Sequence, residues 1–299
     1  MSTSTPTRPH SQTTAPSRNP FARWHLLSLD APTVAALWTW FIAASNQTHL
    51  PLSSALAMAL AVWTLYAADR LMDARALDTQ PHLFRNLEAR HYFHHRNRTF
   101  FLTGILLASI ALALLLPHLE ASAIRLYLIL GAFVFGYFVL IHVTRSAAAQ
   151  HIARRLPKEI AVGICFAAAT FIPTVARHPE LRLALLPSAL LFGALCSLNC
   201  LYIYRWEHTH HGRDIHIHPI TRLALQHLPL LTTILAASSA ALALFDPQSP
   251  WPISCAIAMA AIFLLLLHSR RHTLDAVTLR AAADLALTTP ILLLPFLHR

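Results

Sequence analysis

The segment Tyr66-Ala-Ala-Asp69-Arg70-Leu-Met-Asp73 carries the clearest chemistry in the chain. Asp69 and Asp73 are four residues apart, so on a helix both carboxylates project from one face. Two like charges there stay ionised together only where cations lie between or beside them. Open carboxylates suit Mg²⁺, which binds through one or two of them plus the oxygens of a phosphate-bearing substrate. The Arg- and His-rich stretch 70–98 that follows is placed to bind the same phosphates. By spacing alone, the plainer reading is a helix end in salt bridges with Arg70 and Arg75.

The remaining acids add to this. Asp30, Asp69, Asp73, Glu159, Glu207 and Asp284 each fall within one or two turns of the same end of five expected helices. A carboxylate at the edge of hydrocarbon is costly unless it faces a wet cavity or a partner. One polar cavity open to one side of the membrane accounts for all six. The competing account pairs each acid with a loop arginine.

The elements that must position these residues follow from composition. Of 299 residues, 56% are hydrophobic and only 12% charged, which excludes both a disordered chain and an ordinary soluble domain. Apolar blocks with few glycines and no regular two-residue alternation exclude an outer-membrane barrel. The chain is therefore expected to be all-α and polytopic. Nine blocks reach spanning length, at roughly 27–46, 51–69, 99–117, 122–143, 157–176, 183–204, 224–245, 251–268 and 279–297. Residues 1–24, rich in Ser, Thr and Pro, read as a disordered basic tail, and 25–299 as the nine-helix transmembrane domain. With the N-terminus in the cytoplasm, 19 of the 23 basic residues fall on the inside, which fixes the expected orientation. The net charge of +10 is then matched to anionic lipid and not to nucleic acid.

The span plan and the ADRLMDA segment resemble the UbiA superfamily of intramembrane prenyltransferases. Asp69 and Asp73 match the two aspartates that end that family's first aspartate-rich motif. Leu156-Pro157-Lys158-Glu159, followed by Ala161-Val162-Gly163, resembles the basic residue and glycine-containing apolar run at the start of its fifth helix. The stretch from Asn199 through Tyr202 to Glu207 stands where the second aspartate-rich motif is found. Leu65 replaces the leading asparagine of the first motif, and Asn199 and Glu207 replace aspartates of the second. The resemblance implies Mg²⁺-assisted ionisation of a prenyl diphosphate and attack by a lipophilic or aromatic acceptor. It implies Asp69 and Asp73 as catalytic metal ligands, with Asn199 and Glu207 as further metal ligands. Lys158, Arg70, Arg85, Arg90, Tyr66 and Tyr202 become substrate contacts, and the location a bacterial inner membrane. A non-catalytic scaffold or transporter on the same fold is the alternative.

Other features read more plainly. The four cysteines form no CxxC and are expected to be buried thiols. His91, His94 and His95, and the run from His208 to His218, are expected in solvated loops. Trp38, Trp40, Trp63 and Trp251 are expected as packing residues or interface anchors. Asp284 either completes the cavity or pairs with Arg280 one turn earlier.

Overall fold

The computed structural model describes residues 20–79, 89–142, 157–208, 218–274 and 276–297, and among these there is no strand. The long helices are α2 (Asp30–Ser45), α3 (Leu52–Thr79), α5 (Arg98–Leu115), α6 (Ala121–His142), α7 (Lys158–Arg177), α8 (Arg182–His208), α10 (Leu228–Phe245) and α11 (Trp251–Ser269). Short helices α1 (Pro20–Leu26), α4 (Ala89–Arg96) and α9 (Pro219–Gln226) precede long ones, and α12 (Ala276–Ala286) and α13 (Pro290–Leu293) end the chain. The tail 1–19, Arg85 and the middle of the second histidine tract lie outside the described residues.

Among the described residues, seven helical stretches are long and apolar enough to cross a membrane, so the chain is an integral membrane protein. The two other expected spans fall on α2 and α6. α2 begins only at Asp30, because Ser28 adopts a left-handed backbone (φ 59°) that turns the chain between α1 and α2. Its 16 residues span about 24 Å at 1.5 Å each. In α6 the apolar described part is Ala121–Tyr137.

Burial separates inner from outer helices. Half of Trp251–Ser269 is buried, against 11% of Arg98–His118, whose Leu102, Leu106, Leu107, Ile110 and Leu114 all point outward. With lipid as solvent, such a surface needs no protein partner. The core is built on α2, α8 and α11, around Trp38, Phe41, Phe192, Ile253 and Ile257. Trp38 stacks on Phe192 with ring centroids 4.1 Å apart and is fully buried, which makes it a packing residue. Trp251 is 45% exposed.

Two local devices position the site. α7 and α8 meet through small residues one turn apart, Gly163 and Ala167 facing Gly193 and Ser197. Small residues let backbones approach where hydrocarbon gives no hydrophobic drive. The last helix breaks between Ala286 and Pro290, since proline supplies no donor and its ring clashes with the carbonyl four residues earlier. Trp38 Nε1 donates to the freed Leu287 carbonyl at 2.8 Å, and Thr289 Oγ1 donates to Ala256 O at 2.8 Å. The break is thereby tied to α2 and α11.

Candidate functional site

A buried polar centre lies where the α1–α2 turn, α2, α3, α8 and α12 converge. Asp30, the first residue of α2, has no solvent exposure. His25 Nδ1 donates to its Oδ2 at 2.6 Å, the Ala31 amide donates to Oδ1 at 3.0 Å, and Arg70 Nη2 lies 3.5 Å from Oδ2. An isolated carboxylate there would cost several kcal/mol, at roughly the level known for buried ions, so these partners are required for folding.

Arg70, 3% exposed, is itself held from several sides. Its Nη1 donates to His25 O and to Ser28 Oγ, both at 2.9 Å, and its guanidinium lies 4.5 Å over the Tyr66 ring. The Ser28 hydroxyl accepts from Arg70 and shares a second hydrogen bond, 3.0 Å long, with His94 Nε2. The left-handed turn at Ser28 is what brings that hydroxyl between Arg70 and His94, a strained residue at a polar centre. His94 is fully buried and stacks on Phe101 at 4.1 Å. The expectation of a solvated histidine loop fails here because Arg70 and Ser28 supply a buried polar partner.

On the far side, Asn199 of α8 donates through Nδ2 to Asp284 Oδ1 of α12 at 2.9 Å. Asp284 Oδ2 lies 4.0 Å from His25 Nδ1, and carboxylate oxygens of Asp284 and Asp30 lie within 4.8 Å of each other. Asp284 Oδ2, Asn199 Oδ1 and Arg70 Nη2 have no hydrogen-bond partner among the described residues. The centre therefore contains two buried acceptors and one buried donor that a ligand can satisfy.

Of the residues expected from the sequence, Tyr66, Arg70 and Asn199 come together here. Asp69 is half-buried on α3 beside Arg70. Asp73 continues the same helix, and the side chains of Asp73 and Arg90 lie outside the described residues. Lys158 opens α7 and is exposed. Tyr202 faces away, bonding Thr232 Oγ1 at 3.0 Å and packing on Trp206 and His268. Glu207 is ion-paired with Arg280. That pairing resolves the two roles considered for Asp284: it joins the polar centre, and Arg280 reaches α8 instead. Glu159 accepts from Thr221 of α9 at 3.2 Å. Of the membrane-edge acids, Asp30 and Asp284 thus join the central cluster, whereas Glu159 and Glu207 make separate local pairs. His25 and Ser28 carry no motif, and only the turn before α2 reveals them.

Comparison with known proteins gives no matching family model, no matching curated protein and no matching solved structure.

Proposed function

We propose that the chain is a divergent UbiA-like enzyme of a bacterial inner membrane, transferring a prenyl group from a prenyl diphosphate to a lipophilic or aromatic acceptor. Its nine spans are α2, α3, α5, α6, α7, α8, α10, α11 and the broken α12–α13 pair, with the N-terminus cytoplasmic. The observation that carries this reading is convergence. The α3 segment ending in Tyr66, Asp69 and Arg70 and the α8 segment starting at Asn199 are the two the resemblance selects. Tyr66, Arg70 and Asn199 from those segments meet at one buried polar centre within an apolar bundle.

Oxygen donors suited to a hard cation are present: the α3 carboxylates and the unpartnered Asn199 Oδ1. Asp69 and Asp73 hold Mg²⁺ in this reading, joined by Asn199 and by Glu207 once it leaves Arg280. Bound Mg²⁺ supplies charge neutralisation of the departing diphosphate. The Arg70 Nη2, without a hydrogen-bond partner among the described residues, donates to a diphosphate oxygen in this reading, and Lys158, Arg85 and Arg90 add further positive charge for the diphosphate. The bond from the allylic carbon to the diphosphate oxygen breaks, and its electron pair leaves with diphosphate. The acceptor attacks the carbon and loses a proton. Apolar helices keep water from the cation.

Equilibrium dialysis of the purified full-length protein against labelled prenyl diphosphates of several chain lengths tests this. Saturable binding that needs Mg²⁺ and is lost in Asp69→Asn and Asp73→Asn is expected. No binding of any chain length, or binding indifferent to chelator, would leave the scaffold or transporter reading.

A further inference from the structure

With His25 neutral, the central cluster has more negative charge than its neighbours balance. Asp30 and Asp284 have carboxylate oxygens within 4.8 Å of each other, and the ion pair of Arg70 is with Asp30. The second carboxylate has an amide donor on Oδ1 and nothing on Oδ2 among the described residues. Asn199, 5% exposed and held against Asp284 through its Nδ2, carries a further buried oxygen with no partner among the described residues. A pair of buried carboxylates, one with an unpartnered oxygen, beside an unpartnered amide oxygen is a place where a bound cation is strongly favoured.

We propose that His25 Nδ1, the carboxylates of Asp30 and Asp284 and the Asn199 side-chain oxygen form a binding site for one divalent transition-metal ion of the zinc or manganese class. The ligand atoms of His25, Asp30 and Asp284 all lie within 4.8 Å of one another, with individual separations of 2.6 and 4.0 Å from the imidazole. Ligands about 2.0–2.2 Å from a shared ion stand roughly 3–4 Å apart, so sub-ångström adjustments assemble the shell. The nitrogen donor decides the class: imidazole suits zinc and its neighbours, whereas magnesium keeps to oxygen. On binding, the ion takes the place of the Nδ1 proton, and the neutral imidazole carries its proton on Nε2 instead. Two carboxylates, Arg70 and a dication leave one net positive charge, which one anionic ligand from solvent or substrate balances. The ion would clip the turn before α2 to α8 and α12, joining the first and last parts of the chain.

This site uses carboxylates of α2 and α12 and does not rest on the prenyl-transfer reading, whose metal carboxylates are on α3 and α8; the two share only Asn199. The test loads metal-free full-length protein in detergent with Zn²⁺ or Mn²⁺, desalts it, and measures retained metal and the thermal unfolding midpoint. About one ion per chain and a raised midpoint are expected for one of the two metals. Asp284→Asn and Asn199→Leu should each weaken retention at least about tenfold and abolish the midpoint shift, as expected for loss of one ligand. Asn199→Leu keeps the test open should Asp284→Asn misfold. Asp69→Asn should retain the ion even where it abolishes diphosphate binding. Equal retention and equal shift in wild type and both cluster variants would place the metal on the histidine tracts and overturn the proposal. No retained ion of either metal would also overturn it, leaving a shared proton between the carboxylates.

Discussion

Gly163→Ala is the sharpest single test of how α7 and α8 meet. A Cβ at residue 163 would stand 2.1 Å from Ser197 Oγ, 2.5 Å from Gly193 O and 2.8 Å from Ser197 N. The hydroxyl can rotate away, although that breaks its 2.8 Å hydrogen bond to Gly193 O. The other two atoms are α8 backbone and can withdraw only if the helices separate by several tenths of an ångström. Overpacking of this kind costs about 1–3 kcal/mol. Alanine's better helix propensity offsets at most about 1 kcal/mol of that. A net loss near 2 kcal/mol lowers the folded-to-unfolded ratio about thirtyfold. Gly193→Ala is the internal control. Its Cβ would make ordinary contacts, 3.5 Å to Ala167 Cβ and 3.6 Å to Gly163 O, so the variant should match or slightly exceed wild type. The assay is reversible unfolding in mixed micelles, followed by circular dichroism. Gly163→Ala as stable as wild type, or Gly193→Ala the worse of the two, would refute the packing of α7 on α8.

Three further outcomes are expected. In intact cells, a cysteine at the exposed Thr273 should react only with a membrane-permeant reagent, and one at the exposed Gln248 with an impermeant one; the reverse pattern would invert the topology. Glu207→Gln and Arg280→Gln should each destabilise by about 3 kcal/mol, the double variant costing little more than either alone. Additive losses would mean Glu207 acts elsewhere, as it must if it is chiefly a metal ligand. Arg70→Met should destabilise by at least about 3–5 kcal/mol, because Asp30 is left buried beside a second carboxyl, and Asp30→Asn in the same chain should restore part of that loss. No rescue by Asp30→Asn would show that Arg70 stabilises through Ser28 and Tyr66 instead.

Much of the architecture was legible because lipid imposes one rule: apolar, self-bonded helices of spanning length. The expected blocks 157–176 and 251–268 differ from α7 and α11 by one residue at most at either end. The break in the last helix was less visible, although Thr288, Thr289 and Pro290 mark it, since the apolar residues on either side keep a spanning window hydrophobic. The short α2 escaped for a similar reason, because a left-handed serine leaves no trace in hydropathy. At the site, spacing pointed to the α3 face bearing Asp69 and Asp73, the resemblance added Tyr66 and Arg70, and charge placement singled out Asp30 and Asp284. What spacing could not give was pairing between helices. Whether Arg280 would reach Asp284 or Glu207 depends on helix rotation, and so does the meeting of Gly163 with Ser197. His25 was illegible because its role comes entirely from the turn at Ser28.

The central claim, transfer of a prenyl group at the ends of α3 and α8, is tested most directly by diphosphate release. Membranes containing the full-length protein would be incubated with labelled prenyl diphosphates, a lipophilic or aromatic acceptor mixture and either Mg²⁺ or chelator. The account predicts Mg²⁺-dependent release of diphosphate with label transferred to lipid, absent in Asp69→Asn and Asp73→Asn variants that still insert normally. Undiminished release in both variants, or none from wild type with any chain length, would contradict it.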